Sequence, residues 1–423
     1  MKKNANRGTK REATRIVQLV LPTPEALRGT LNDLVVGAGL AALVAMLEVD
    51  REEACGPRYR HDAGRAASRT GHADGELSLG GRRVRVRRPR VRTTDGHEVT
   101  LPTWKALAGN DPLRGRAVEQ MLVGVSTRKY ERSLEPMPPG VVSRGTSRSA
   151  VSRRFVEATQ ARIDEMVSRD LGALSLVAVM IDGLNVGEHT VLIALGIDEQ
   201  GEKHVLGLRE GATENSAACT ALLAQLRDRG LRTDRTLLFV IDGSKALRKS
   251  VRDVFGNRAL VQRCQVHKVR NVEEHLPERE RARVTAVMRG AYRSQDLRHA
   301  KRVLEGLARQ LERRHPSAAE SIREGLDETL TVLGLGLTDS LLRTLATTNP
   351  IENLNGLVRY RIRRVRRWDG GAMVLRWLVA SLDDAAKGFR RLRGHKQIPK
   401  LLAALRAHDA KLDKGVDRLG KAA

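Results

Sequence analysis

Three cysteines in 423 residues are too few and too scattered to define a framework. Cys55, Cys219 and Cys264 offer neither a disulfide network nor a four-ligand zinc site, and they suit a reducing, cytoplasmic setting. Long apolar runs are missing too. The most apolar stretch, Leu34 to Val49, is shorter than the roughly 20 residues a membrane-spanning helix needs, so no membrane partner is expected. The basic start Met1-Lys2-Lys3 lacks a following apolar core and a small-residue cleavage site, so no signal peptide is expected. Acids are in deficit: 50 Asp and Glu face 76 Lys and Arg, a net charge of +26. A chain this basic meets a polyanion, with nucleic acid the first candidate and ribosomal or membrane-surface binding the competitor. The length allows two or three domains with ample core.

Two segments end alike. Leu174 to Gly183 and Leu237 to Gly243 are each a largely apolar run, of the length of a strand buried on both faces, closed by Asp-Gly. A carboxylate at the mouth of a buried strand is rigidly aimed, and Asp182 and Asp242 on adjacent strands can share a cation. The 60 residues between them leave room for two strands and a helix. Asp-Gly is also a common structural turn, so one copy alone would say little. With Glu352 as a third acid, the set suits two divalent ions: hard Mg²⁺, or Mn²⁺, takes carboxylate oxygens plus substrate phosphates. That chemistry is metal-dependent cutting or joining of nucleic acid.

The pattern along the chain gives an order of elements. Thr23 to Glu53 reads as a helix, with Thr23 as cap and Pro24 in the first turn. Seven arginines then lie between Arg82 and Arg92. The alternation Val84-Arg85-Val86-Arg87 predicts a strand with an arginine-rich face, for which Arg82, Arg83, Arg85 and Arg87 are candidate phosphate contacts and a solvated edge the alternative. Ala117 to Val123, stopped by Gly124, Ser126 to Leu134, and a segment starting at Ser147 predict three helices. The last opens with small polar and basic residues, including Arg148, Arg153 and Arg154, as a recognition helix would; an ordinary surface helix is the alternative.

Strands are expected at Leu174 to Asp182, His189 to Ile197, Lys203 to Arg209, up to Asp242, and Ala259 to Cys264, with helices at Asn215 to Arg229 and Ala246 to Phe255. Three meandering strands, a helix, then strand-helix-strand begin a ribonuclease-H-like fold. Pro277 to Arg343 is helical by pattern and reads as an insertion. A helix from Pro350 to about Arg367 and another from Ala372 close the core, and the tail from Lys411 is Lys-rich. The expected divisions are a basic N-terminal region (1–104), a helix-turn-helix-like DNA-binding region (105–170), an α/β core in two parts (171–276 and 347–400), an all-α insertion (277–346) and a basic tail (401–423).

Two motifs stay open on local grounds. Asn349 as N-cap, Pro350 at the first position and Glu352 two further on approach a capping box, in which Glu352 would only satisfy backbone donors. Against that, Arg359, Arg363 and Arg366 follow on the face of Glu352, as suits a ligand where DNA phosphates pass. Cys264 and His267 form a Cys-x-x-His step without a second pair to complete a zinc site; it organises an active-site rim or is a core cysteine beside a hydrogen-bonded histidine. Cys55 and His61 make a weaker pair.

Taken together, Ile181-Asp182-Gly183, Arg209-Glu210-Gly211, Val240-Ile241-Asp242-Gly243, Gln262 to Asn271 and Thr347 to Asn355 resemble the Mutator-type transposases of bacterial insertion sequences, a DDE family. The resemblance runs from about Leu31 to about Leu382. It implies a ribonuclease-H-like catalytic domain with a helical insertion after the second Asp. It also implies Asp182, Asp242 and Glu352 as catalytic metal ligands, with Cys264 and His267 as a family feature. Double-stranded DNA (terminal inverted repeats and target) is the implied partner, and pairing two ends suggests at least a homodimer. Where many relatives carry an acidic and apolar strand before Pro-Arg, this chain has the arginine-rich Arg82 to Arg92.

Overall fold

The structure, a computed structural model, describes residues 24–60, 64–108 and 113–420. Met1-Lys2-Lys3, the Thr23 cap and His61 lie outside the described residues. Two compact units emerge, Met1–Arg116 with Thr127–Val151, and Ala117–Ser126 with Ser152–Ala423.

The first unit begins with helix α1 (Pro24–Cys55), followed by strands β1 (Ala67–Leu79), β2 (Arg82–Thr93) and β3 (Glu98–Val99) and helix α2 (Pro102–Ala108). Strand β4 (Ser143–Arg144) returns to pair with β2, which also pairs antiparallel with β1 and β3. The two-residue alternation expected in β2 is present. Val84 and Val86 are buried, while Arg83, Arg85 and Arg87 are exposed; past Arg88 the phase shifts, and Pro89 and Val91 are the buried positions. Leu43, Leu47 and Cys55 of α1 join Val86, Val91 and Leu101 in this unit's core.

Because α1 runs beyond the apolar stretch on both sides, Leu31–Cys55 has the length and composition of a membrane span, correcting the expectation that it is too short. The burial of Leu43 and Leu47 nonetheless makes one face of it core. Ser126 to Leu134, expected as a helix, forms only a 3₁₀ turn at Glu131–Ser133, a nine-residue segment being too short to hold a helix by itself.

Helix α3 (Leu113–Leu122) and helix α4 (Arg148–Ser168) bracket that turn and β4, so a long connection rather than a tight turn joins them. The second unit then builds a five-stranded sheet from β5 (Leu176–Val186), β6 (His189–Asp198), β7 (Lys203–Glu210), β8 (Leu237–Ile241) and β9 (Ala259–Arg263), in the order β7-β6-β5-β8-β9. The first three are antiparallel neighbours; β5, β8 and β9 run parallel. Helices α5 (Ser216–Asp228) and α6 (Lys245–Phe255) cover one face with Val179, Ile181, Phe239 and Ile241. Met180, Leu184, Leu238 and Val240 point into the larger core on the other face. Burial on both faces explains the unbroken apolar runs, each enclosed Leu, Ile or Phe contributing about 1.5–3 kcal/mol.

From β9 the chain enters α7 (Gln265–Glu274), a helix not anticipated from the sequence, then α8 (Glu278–Tyr292), α9 (Leu297–Glu312), α10 (Pro316–Arg323), α11 (Leu326–Thr329), α12 (Thr331–Gly334) and α13 (Asp339–Leu345), in the stretch expected to be helical from Pro277 to Arg343. Buried Gln262 ties it to the sheet: its Nε2 donates to the Thr329 carbonyl at 2.9 Å and its Oε1 accepts from Val332 N–H at 2.9 Å. Helices α14 (Asn349–Ile362), α15 (Gly370–Ala386) and α16 (Ile398–Gly420) complete the unit.

Two expectations need correction here. β5 does not stop at Asp182 but runs to Val186, because Gly187, at φ +59°, turns it into a hairpin with β6. α14 ends at Ile362 rather than near Arg367: the chain leaves the helix so that Val365 and Trp368 pack on the core. In the C-terminal helix, Asp409 on α16 accepts hydrogen bonds from Thr236 and from Arg258.

Candidate active site

The pairing of β5 with β8 ends at Ile181 and Ile241, so Asp182 and Asp242 follow at equivalent positions of parallel neighbours. β8 stops there while β5 continues, leaving Asp182 on the open side of its strand. Alternation places Asp182 with Met180 and Leu184, on the face against which Ile351, Leu354 and Val358 of α14 pack. From that helix Asn355, 1% exposed, donates from Nδ2 to Asp182 Oδ2 at 2.8 Å. Asp242 is fixed by its own turn. Ser244 N–H donates to Oδ1 at 3.0 Å and Thr213 Oγ1 lies 3.4 Å from Oδ2. Ser244 Oγ in turn donates to the Thr213 carbonyl at 2.6 Å and accepts from Leu247 N–H, capping α6.

Glu352 faces the same place, with a role other than capping. The helix starts one residue earlier than expected, with Thr348 as N-cap and no side-chain capping bond. The Thr348 hydroxyl instead donates to Glu352 Oε1 at 2.6 Å. With its proton on the carboxylate, the same hydroxyl oxygen sits 3.4 Å from His267 Nδ1, and Thr348 N–H points at Cys264 Sγ at 3.4 Å. The Cys264-x-x-His267 step therefore lies directly behind Glu352, with His267 Nδ1 3.9 Å from Glu352 Oε1. Among the described residues no second pair for zinc accompanies it, although Cys264, His267 and Glu352 bring their donor atoms within 4.8 Å of one another.

The electrostatics link these groups. Burial first, then the Asp242 carboxylate, hold Asp182 above the usual aspartate range, and Glu352 adds to this. Burial pushes the Cys264 thiol up, but hydrogen bonds with His267 and Thr348 outweigh it and leave the thiol lowered. His267 is raised, chiefly by its bond with Cys264 and against its burial, with help from Glu352 and Asp242.

Hard oxygen donors of this kind fit a divalent cation. Mutual repulsion of the carboxylates is what a bound cation relieves, and Asn355 Oδ1 is a buried oxygen with no hydrogen-bond partner. A second cluster, Asp198, Glu202 and His204, is explained without one: Asp198 accepts from Gln200 and Glu202 N–H and from His204, closing the β6–β7 turn. Glu210 ends β7 bonded to His189 Nδ1 at 2.6 Å, where a side chain at Gly371 would collide with it.

The family described as "Transposase, Mutator family" matches residues 13–391. The chain belongs to it. Among its relatives, the transposase for insertion sequence element ISRM5 of Rhizobium meliloti is 27% identical over 402 residues, covering 92% of this chain and 97% of that protein. The transposase of IS256 in transposon Tn4001 of Staphylococcus aureus is 25% identical over 336 residues, 77% of this chain and 83% of its own length. That of IS905 from Lactococcus lactis is 26% identical, over 71% of this chain. This protein is thus a transposase of insertion-sequence type, and a transposase acts on DNA.

The arginines singled out in this transposase separate into two groups. Arg83, Arg85, Arg87, Arg148, Arg153, Arg359, Arg363 and Arg366 are exposed. Arg82 and Arg154 are buried. Arg82 lies on the valine face of β2 and its guanidinium donates to the Glu135 carbonyl, and Arg154 sits beside Phe155 on the covered side of α4. Neither is presented to a DNA backbone. Arg363 is the C-cap of α14 and stacks on Tyr360 at 4.1 Å, and Arg366 lies beyond the end of the helix, so Arg359 is the one of the three inside it. Sequence reasoning missed Thr348 and Asn355. Their signal was their spacing from Glu352, four before and three after, which puts all three on one helix face.

Proposed function

We propose that this transposase binds the terminal inverted repeats of its element and performs metal-dependent strand cleavage followed by 3′-hydroxyl strand transfer, on a ribonuclease-H-like core. The observation that carries the reading is the meeting of Asp182 and Asp242, on parallel β5 and β8, with Glu352 on α14. The strand order β7-β6-β5-β8-β9 supports the fold assignment.

Asp182, Asp242 and Glu352 would hold Mg²⁺, or Mn²⁺ in its place. Bound there, such ions supply Lewis-acid stabilisation of charge on the phosphate and on the leaving oxygen. The chain's own contribution is to aim the three carboxylates: Asn355 holds Asp182, the Ser244 turn holds Asp242, and Thr348 with Cys264 and His267 behind it holds Glu352. Water attacks phosphorus and the phosphorus–O3′ bond breaks, freeing a 3′-hydroxyl. That hydroxyl attacks a second phosphodiester, forming one phosphorus–oxygen bond as another breaks. No covalent protein–DNA bond is needed, so no Tyr or Ser nucleophile is assigned. Two ends handled together call for at least a homodimer on DNA.

The test is cleavage and joining of labelled DNA carrying the element's own ends with Mg²⁺, beside Asp182→Ala, Asp242→Ala and Glu352→Ala. Products from wild type alone, at equal DNA binding, support the assignment. Cleavage without joining would make the protein a nuclease, and an active Glu352→Ala would remove the third ligand.

A further inference from the structure

A cavity of about 450 Å³ opens beside the first turn of α14, and none of the three acids lines it. Its cations come from separate parts of the fold: Lys203 from β7, Arg343 from α13, and Arg391 and Arg393 from the segment between α15 and α16. Asn349 and Asn353 of α14 add neutral donors, and no acid lines the space. Arg391 alone meets a carboxylate, Glu202 at 3.4 Å. Lys203 lies over the Phe389 ring at 5.3 Å, and burial lowers its pKa.

The cavity is built rather than a chance meeting of mobile side chains. Leu392, 1% exposed, anchors the chain between Arg391 and Arg393, and its N–H donates to the Gly201 carbonyl at 2.7 Å. Gly394, at φ +88°, lets that segment press on α13, where a Cβ would come within 2.5 Å of the Leu341 nitrogen. Four like charges around a space that no acid lines, only Arg391 among them paired with a carboxylate, focus potential on an anion. Two arginines suit a phosphate geometrically, and asparagine amides complete such a shell.

We infer that this cavity is a phosphodiester-binding site, taking a backbone phosphate of the DNA strand that runs through the catalytic centre. Asn349 and Asn353 flank Glu352 on one helix, and a strand advances about 3.4 Å per nucleotide along the duplex axis. The phosphate held here therefore lies a few nucleotides from the reacting one. This role rests on the proposed function, since it needs DNA at the acids.

The test compares wild type, Arg343→Gln/Arg393→Gln and Arg343→Lys/Arg393→Lys, each checked for folding by circular dichroism. The readout is the slope of log affinity against log salt for a fluorescent duplex carrying the element's ends. Arg227→Ala, whose guanidinium is already paired with Asp228, is the control. Losing the contact to that one phosphate lowers the slope by about 0.9 in the glutamine variant, while the lysine variant and the control keep it. An unchanged slope in the glutamine variant overturns the inference while leaving the proposed function standing. A wild type without salt-dependent affinity sinks both. Titration with inorganic phosphate separates the sources: phosphate bound through these arginines with no change in the DNA slope would make this a small-anion site and overturn the DNA assignment.

Discussion

Asn355 Nδ2 donates to Asp182 Oδ2 at 2.8 Å, and the other end of the same amide, Oδ1, is buried without a partner. The bond orients a carboxylate that burial and Asp242 make harder to ionise. A hydrogen bond to a charged group contributes about 1.5–3 kcal/mol. Asn355→Ala is expected to lower strand cleavage roughly 10- to 100-fold. It should also weaken the stabilisation of the protein by Mg²⁺, read as a smaller rise in Tm on titration. A variant with wild-type cleavage and wild-type Mg²⁺ response would strip Asn355 of this role.

Thr348 joins Glu352 to the Cys264–His267 pair through one hydroxyl. Thr348→Val keeps the shape and removes the donor, and should cost cleavage about as much as Asn355→Ala. Thr348→Ser restores the hydroxyl and should restore most of the rate. Equal activity in all three proteins would show that Glu352 is held by something else.

The two Asp-Gly pairs look alike and should respond differently. Gly243 has φ +113°, and a Cβ there would sit 2.2 Å from Arg263 Nε. That guanidinium cannot move freely, because Arg263 is 6% exposed and bonded to Glu324. Gly183 lies in β5, where a Cβ meets only methyl groups at 3.7 and 3.8 Å. Gly243→Ala is expected to destabilise the fold by about 2 kcal/mol or more, and Gly183→Ala to be near neutral, in urea unfolding. Equal effects would contradict the geometry.

Lys268 is 1% exposed, its ammonium donates to the Ser321 carbonyl, and burial pushes its pKa down from 10.5 to about 8. The folded state thus releases this proton before the unfolded state does. The resulting penalty is fully present below pH 8 and disappears as pH rises towards 10.5, the value in the unfolded chain. Its upper bound is on the order of 3 kcal/mol. Stability of wild type relative to Lys268→Met should therefore rise across that window. A flat difference would mean that Glu324, 3.8 Å away, compensates the charge.

Much of the core was legible because its signals are local. Apolar runs bounded by Gly gave the five strands, and the helix and strand limits from Asn215 to Arg263 fall within a residue or two of those expected. Less local features were not. Asp182 read as a strand end because Asp-Gly looks like a stop, and only the β6 partner shows why the strand goes on. The arginines of β2 formed one group by composition, yet alternation and the Glu135 carbonyl bury Arg82. Glu352 fitted a capping box until the helix start moved by one residue and gave its carboxylate to Thr348.

By itself the sequence determined charge, strand and helix periodicity, and the acid-bearing motifs, since these depend on residue type and short spacing. Only the tertiary structure decided which side chain orients each carboxylate and which arginines meet solvent. It alone brought Lys203, Arg343, Arg391 and Arg393 around one cavity. Those relations join residues far apart in the chain, and they are set by the packing of α13, α14 and the sheet, which no short window of sequence contains.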